Sequence, residues 1–276
     1  MKRNTFFMKK AIVFLLIFTI GSVLFAQQGL EYEVVDGKSV TITGYTGNAT
    51  ILNIPAQIQG LPVTAIGERA FQDSGLTNVT IPSSVTPIRR SAFLYCSSLT
   101  SITVDNRNPS YASIDGVLFD KNIRTLIIYP EGKTARTYTI PSSVTNIGEN
   151  AFSYGNLTSV TIPSSVTSIG RGAFHSCSRL TSVTIPSSVT YIGDYAFIDS
   201  GLTSVTIPSS VTTVGWYAFS GCTNLASVTL SRRTQVGEGA FPENARITYM
   251  DTIDDLISDV ENMSDAEFFN FLLRMY

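Results

Sequence analysis

One phrase of 21 residues, repeated along the chain, restricts the possible folds more than any other feature of the sequence. LTSVTIPSSVTSIGRGAFHSC occupies residues 157–177, and near-identical copies begin at Leu180 and at Leu202. Ile-Pro and Ala-Phe pairs recur elsewhere in the chain, mostly at steps of 22 or 23 residues. A repeat of this length cannot bury its apolar side alone, so we expect each copy to be one coil of a stacked solenoid.

The pattern inside one copy predicts two short extended stretches followed by a short helical turn. Val160 and Ile162 lie two residues apart, on the same side of a strand, and Pro163 ends that strand because it has no N–H to donate. A second extended stretch follows, and the Ala-Phe pair is expected to pack beneath the helical turn. The predicted inward set of this copy is Leu157, Val160, Ile162, Val166, Ile169, Ala173 and Phe174.

The repeated sequence motifs resemble those of a known family. The pattern IPSSVTxIGxxAFxxC, spread from Thr50 to Tyr249, is similar to the BspA-type leucine-rich repeats of bacterial surface proteins. The opening YEVVDGKSVTITGYTG and the inserted NPSYASIDGVLFDKNIRTLIIYP share the resemblance. It implies a curved β-rich leucine-rich repeat solenoid, secretion or surface display, and adhesion to host matrix proteins or to other cells, without catalysis. The identity of the ligand does not carry over.

Four segments are predicted along the chain. Residues 1–26 have the basic start and short apolar run of a secretory signal peptide, with a retained N-terminal anchor as the alternative. Residues 27–49 are predicted to form an N-terminal β-hairpin cap that turns at Asp36-Gly37. Residues 50–250 form the solenoid of about eight coils, each of 22–23 residues. Residues 251–276 form an acidic, amphipathic helical tail or cap.

An interval of 59 residues between Phe93 and Phe152 interrupts the repeat. Within the segment at about residues 104–138, turn signals such as Asp115-Gly116 separate short apolar runs. We expect a β-hairpin that continues the stack, protrudes at one edge and contributes to binding. The alternative is a degenerate repeat that only packs.

The tail contains a capping-box pattern, Ser264-Asp265-Ala266-Glu267, at the start of its second helical segment. We expect the tail to fold over the last coil. The alternative is an exposed acidic and apolar element that docks to a partner or to the secretion machinery.

Charge argues against nucleic acid as a partner. Between residues 27 and 250 the chain carries 14 basic and 14 acidic side chains, and the tail adds seven acids and one Arg. A neutral body without a basic stripe cannot neutralise a phosphate backbone. No stable membrane span is expected after signal removal. The expected location is secreted or cell surface, with the periplasm as an alternative.

The residues that could carry chemistry are few. Cys96, Cys177 and Cys222 occupy one template position, so we expect three free, buried thiols. His175 is the only histidine, which leaves no histidine-based triad or zinc site. No glycine-rich phosphate loop is present. The sequence therefore predicts no enzyme, no cofactor and no metal.

The outward positions of the first strand of each coil form the candidate binding site. They should align as two columns of hydroxyls on one sheet face, available to a protein or glycan ligand. A polar strand surface without a ligand and an ordered-water, ice-binding array are the alternatives. The predicted function is non-catalytic adhesion, and the alternative is a scaffold with no external ligand. The candidate residues are Ser101, Thr103, Ser159, Thr161, Ser182, Thr184, Ser204, Thr206, Ser227 and Thr229.

Overall fold

The computed structural model describes residues 29–89, 91–250, 263–264, 267–269 and 273. The predicted signal peptide lies outside the described residues, as does most of the tail beyond Met250. In chain order the strands are β1 (Leu30–Val35), β2 (Ser39–Tyr45), β3 (Ile51–Asn53), β4 (Gln57–Ile58), β5 (Leu61–Ile66), β6 (Asn78–Ile81), β7 (Ser101–Val104), β8 (Tyr111–Ile114), β9 (Val117–Asp120), β10 (Thr125–Ile128), β11 (Thr137–Thr139), β12 (Asn146–Ile147), β13 (Ser159–Thr161), β14 (Ser168–Ile169), β15 (Ser182–Val183), β16 (Tyr191–Ile192), β17 (Ser204–Thr206), β18 (Thr213–Val214), β19 (Ser227–Leu230), β20 (Gln235–Val236) and β21 (Arg246–Tyr249).

These strands wind into a three-sided solenoid. The first face contains the Leu-x-x-Val-x-Ile strands in three parallel sheets, ordered β3-β6-β7, β11-β13-β15 and β17-β19-β21. The second face contains the second extended stretch of each coil, ordered β20-β18-β16-β14-β12-β10. The third side, called the turn face below, carries the Ala-Phe pairs. The described residues thus supply nine first-face strands, one more than the number of coils that the sequence suggested.

The core of the C-terminal coils contains a continuous column of stacked aromatic rings. Phe152, Phe174, Phe197 and Phe219 lie with ring centroids 4.9 Å apart and interplanar angles of 6–8°. All four are fully buried. The predicted inward set of the copy at residues 157–177 is buried throughout, its most exposed member being Ile162 at 8%. The repeat spacing therefore identified the core residues correctly.

The turn face has consecutive turns where the sequence predicted a short helical turn. The N–H of His175 donates to the carbonyl of Gly172, three residues back, whereas the N–H of Phe174 donates to Ala196 in the next coil, at 2.7 Å. This alternation requires left-handed backbone, which Gly172 (φ 58°) and Ser176 (φ 54°) provide. A helix sends each N–H to its own preceding turn, so these bonds between coils replace it. The residues with positive φ on this side are Arg69, Asp73, Ser91, Tyr95, Asn150, Tyr154, Gly172, Ser176, Tyr195, Asp199, Tyr217, Gly221 and Gly239.

The N-terminal hairpin predicted from the sequence is present. β1 and β2 are antiparallel and turn at Asp36 (φ 52°) and Gly37 (φ 64°). β2 then pairs in parallel with β5 of the first coil. The hairpin therefore extends the second face at its N-terminal edge, and its role as a cap stays a prediction.

The inserted segment does not protrude, which corrects the expectation. β8 and β9 form an antiparallel hairpin that continues into β10, and β10 belongs to the regular second face because it pairs in parallel with β12. Val117, Leu118 and Phe119 of β9 are all fully buried. The alternation of a strand sends successive side chains to opposite sides. Accordingly, Leu118 packs in the core of the N-terminal coils, and Val117 and Phe119 pack in the core of the C-terminal coils.

We call β8 and β9 the septum hairpin, because it separates two cores. The N-terminal core extends from Leu30 to Ile102 and adds Leu118. The C-terminal core extends from Val117 to Ala240. The septum hairpin also reaches the first face, where the carbonyl of Gly116 accepts the N–H of Ile102 at 2.9 Å. The insertion is thus an internal partition rather than an external loop.

Tyr129 explains the long interval in the repeat. Its ring stacks 5.2 Å from Phe152, and its N–H donates to Ala151 just as that of Phe152 donates to Ala173. Tyr129 therefore takes the place of the Ala-Phe phenylalanine in the third coil. The 59-residue interval contains one enlarged coil of 36 residues, from Phe93 to Tyr129, and one regular coil of 23.

Candidate binding surface

The structure places the ten predicted hydroxyl residues on the first face, in two columns. Ser159 lies beside Ser182, Ser204 beside Ser227, and Thr206 beside Thr229. Exposed members of the columns are Thr103, Ser159, Thr161, Ser182, Thr184, Ser204 and Thr206, and half-buried members are Ser101, Ser227 and Thr229. The columns are interrupted where the three sheets of this face end, after β7 and after β15.

The Ser and Thr hydroxyls of the coils form two sets that differ in their hydrogen-bond partners. In four of the five IPSSVT turns the second serine donates to a carbonyl of the preceding coil, as Ser165 does to Val144 and Ser188 to Val166, both at 2.7 Å. The threonine of that turn does the same, as in the bond from Thr212 to Thr190 at 3.1 Å. These hydroxyls hold neighbouring coils together.

The hydroxyls of the two first-face columns are not used in this way. Within the described ranges, none of the ten makes a side-chain hydrogen bond to another protein group. They point outward from strands whose inward neighbours, such as Val160 and Val205, are buried. Each hydroxyl offers one donor and two acceptor positions, so the columns form a regular hydrogen-bonding surface available to a partner.

A half-buried carboxyl, that of Glu131, lies where the second, third and fourth coils meet. Oε1 of Glu131 accepts the N–H of Tyr95 at 2.9 Å, and its backbone carbonyl accepts from Asn156 at 3.3 Å. Burial raises the pKa of Glu131 to about 7, and the charge of Asp73 acts in the same direction. The bond from Tyr95 opposes this shift, because it stabilises the carboxylate.

The three cysteines are free and buried, as predicted. Each thiol fills the turn after its phenylalanine and donates to a carbonyl of the preceding coil, as Cys177 does to Phe152 at 3.0 Å. Cys96 and Cys222 make the equivalent bonds at 2.9 and 3.1 Å. Burial raises the pKa of Cys177 to about 12, so its thiolate is scarce at neutral pH. These thiols are structural.

The turn face carries features that the sequence reasoning missed. Half-buried His175 packs its ring 5.0 Å from that of Tyr154, and burial lowers the pKa of the imidazole. Tyr195 and Tyr217 stack 5.7 Å apart, and Trp216 beside them is 60% exposed. The available signal was the tyrosine directly before the Ala-Phe pair in two successive copies, DYAF and WYAF.

Neither a metal-binding group of side chains nor a membrane-spanning helix is found among the residues that the structure describes. Across residues 29–89 and 91–250 and the few described tail positions, no group of His, Cys, Asp and Glu is arranged to hold a metal ion. No helix among these same residues has the length and apolar character needed to cross a membrane.

The fold and its exposed sheet define the class of protein, a leucine-rich repeat solenoid with an accessible strand face. The model of the BspA type leucine-rich repeat region matches six copies, over residues 19–155 and 145–270. The chain belongs to the BspA-type leucine-rich repeat family. A search of curated proteins finds no match.

Solved structures share the fold. A leucine-rich repeat protein from Eubacterium ventriosum has a TM-score of 0.61 at 22% identity, covering 83% of this chain and 90% of its own. The pneumococcal vaccine antigen PcpA has a TM-score of 0.54 at 17% identity, covering 85% of this chain and 95% of its own. At these identities the comparison establishes the fold alone.

Proposed function

We propose that this protein is a non-catalytic, exported binding protein that attaches to extracellular-matrix proteins of a host or to other cells. The ligand lies across the first face and is held by hydrogen bonds to its two columns of hydroxyls. One observation carries the proposal: the second serine and the threonine of the turns donate to neighbouring coils, whereas the aligned hydroxyls of the columns have no protein partner among the described residues.

Family membership supports a binding or surface protein, and PcpA, which shares the fold, is described as a vaccine antigen. Strand β9 of the septum hairpin is buried, so only the exposed turn at Asp115-Gly116, which lies beside the first face, is open to a ligand. The first face is therefore the main contact surface. Its outward hydroxyls are small, so a ligand can approach the strand backbone closely.

The test compares the wild-type protein with the double substitution Thr184→Arg, Thr206→Arg on a panel of immobilised matrix and serum proteins. Both threonines are exposed and lie in adjacent coils, so the two arginines project from the face while the inward residues are unchanged. The matched control is Ser187→Arg, Ser209→Arg, which adds the same charge to exposed turn positions of the same two coils.

We expect saturable binding to at least one panel member, a loss of about tenfold or more in the threonine variant, and no loss in the serine control. Equal loss in both variants would assign the effect to charge rather than to the face. Absence of binding to every panel member would refute the adhesive function.

A further inference from the structure

A notch interrupts the turn face at the fifth coil. The residue two before each phenylalanine forms a column on this side, and it is Asn150, Gly172 and Tyr195 in three successive coils. Gly172 lacks a side chain, so the column is empty between its two neighbours. The resulting depression has a volume of about 440 Å³ and is lined chiefly by Asn150, Arg171, Gly172, His175, Tyr195 and Ile198.

Three polar side chains converge on the notch. The amide oxygen of Asn150 is in close contact with the position that a Cβ of Gly172 would take, and that Cβ would be 3.8 Å from the Cβ of His175. The guanidinium of Arg171 lies over the Tyr195 ring, with Cζ 5.3 Å from the ring centroid. Within the described part of the chain, none of Asn150, Arg171 and His175 makes a side-chain hydrogen bond or an ion pair.

Glu149 also lies on the rim of the notch and has an interaction partner, and the charge of Asp199 acts on His175 from nearby. Arg171 supplies the positive charge of the notch lining. Its planar fork of donors matches a carboxylate in a bidentate pair. An amide and a neutral imidazole each offer both a donor and an acceptor, which suits hydroxyl groups.

We propose that the notch binds a carboxylate-bearing sugar, such as a sialic acid or a uronic acid at the end of a glycan chain. Arg171 pairs with the carboxylate, and Asn150 and His175 hydrogen-bond to the ring hydroxyls. Ile198 and the edge of the Tyr195 ring contact the apolar C–H surface of the sugar. Further along the same side, exposed Trp216 provides a surface on which a neighbouring sugar can stack. This site is separate from the first face and does not depend on adhesion there.

The experiment titrates the whole protein with 3′-sialyllactose, with a glucuronic-acid-containing disaccharide, with neutral lactose and with a tetraglutamate peptide. Saturation-transfer NMR and calorimetry measure binding. The variants are Arg171→Gln, which removes the charge, and Gly172→Asn, which fills the notch. Asparagine suits this position because Asn150 has the same left-handed backbone, with φ 55°. The control is Arg179→Gln, an exposed arginine outside the notch.

We expect at least one acidic sugar to bind, and lactose to bind at least about tenfold more weakly. Arg171→Gln and Gly172→Asn should each lower that affinity about tenfold or more, whereas Arg179→Gln and the Thr184→Arg, Thr206→Arg variant should bind as the wild type does. The proposal is overturned if neither acidic sugar binds, if lactose binds as well, or if tetraglutamate binds more tightly than both sugars. Wild-type affinity in both notch variants would also overturn it.

Discussion

The septum hairpin predicts that three consecutive residues act alternately on two different parts of the protein. Leu118 packs in the N-terminal core, and its neighbours Val117 and Phe119 pack in the C-terminal core; all three are 0% exposed. In a solenoid, each coil is stabilised by its own contacts and by those of its immediate neighbours. A cavity made on one side of β9 should therefore weaken the coils on that side first.

The magnitude follows from the burial. Truncating a fully buried leucine to alanine costs about 2–5 kcal/mol, and a phenylalanine about 3–5 kcal/mol. If the free energy of local opening falls by about 3 kcal/mol, amides that exchange through that opening should exchange roughly a hundredfold faster than in the wild type. We expect Leu118→Ala to accelerate exchange in β3 and β6 and to leave β14, β16 and β18 close to wild type. Phe119→Ala and Val117→Ala should do the reverse, with the smaller effect for valine.

Hydrogen exchange measured by mass spectrometry resolves peptides from single coils and therefore decides the question. The two flanking substitutions are the internal control, because they change residues adjacent to Leu118 in the same strand. If Leu118→Ala and Phe119→Ala loosen the same coils, the division into two cores is refuted. For a variant that unfolds globally, Leu118→Val provides a smaller cavity at the same place.

Three further predictions concern single sites. The three thiols should react with a thiol reagent only after denaturation, and three fast-reacting thiols in the native protein would contradict their burial. Because the pKa of Glu131 is raised to about 7 from an ordinary value of 4.5, the folded state retains a proton that the unfolded state releases, so Glu131 should reduce stability as pH rises from about 4.5 to 7. Glu131→Gln keeps an acceptor for the N–H of Tyr95. In denaturant titrations, its free energy of unfolding should exceed that of the wild type by on the order of 1 kcal/mol at pH 8 and should equal it at pH 5. The gain is this small because partial exposure screens the effect. Truncation after Met250 should lower the melting temperature if the tail caps the last coil, and an unchanged melting temperature would favour a docking role.

Part of the tail prediction can be compared with the structure. Ser264 and Glu267 form one of the two bonds of the predicted capping box: the Glu267 carboxylate accepts the backbone N–H of Ser264 at 2.9 Å. The Ser264 hydroxyl donates to the same carboxylate oxygen at 2.6 Å. Residues 267–269 and 273 are helical, and Phe269 and Leu273 are each 64% exposed. The short-range signal was thus readable from sequence, whereas the contacts of the tail as a cap stay a prediction.

The inward residues were predictable because a strand and a repeat each impose a simple period. Val160 and Ile162 follow the two-residue period, and the same positions recur in every copy. The insertion was harder, because Tyr129 replaces the expected phenylalanine and so hides one coil. A run of three buried residues, Val117 to Phe119, indicates a strand covered on both sides, and that pattern was available to exclude a protruding hairpin.

The turn face could not be derived from local preferences. Tyr195 and Tyr217 have φ of 58° and 54°, although tyrosine has no preference for left-handed backbone. Their N–H groups donate to Trp216 at 2.9 Å and to Glu238 at 3.0 Å, each in the following coil. The stacking of coils therefore imposes this conformation, and the information lies in contacts 21 residues away rather than in the residues themselves.

The contacts between coils restrict where functional residues can lie in this fold. The second serine and the threonine of the IPSSVT turns, the Phe column and the thiols are held by contacts between coils, so changes there disturb the stack. The first-face hydroxyls do not hold coils together through their side chains, so they can vary from copy to copy without loss of the core. The first-face columns keep Ser and Thr in successive coils, which suits a broad ligand. The turn face changes at each coil, and Gly172 next to Arg171 creates the notch. A broad contact surface and a small pocket are thus compatible on different sides of one solenoid.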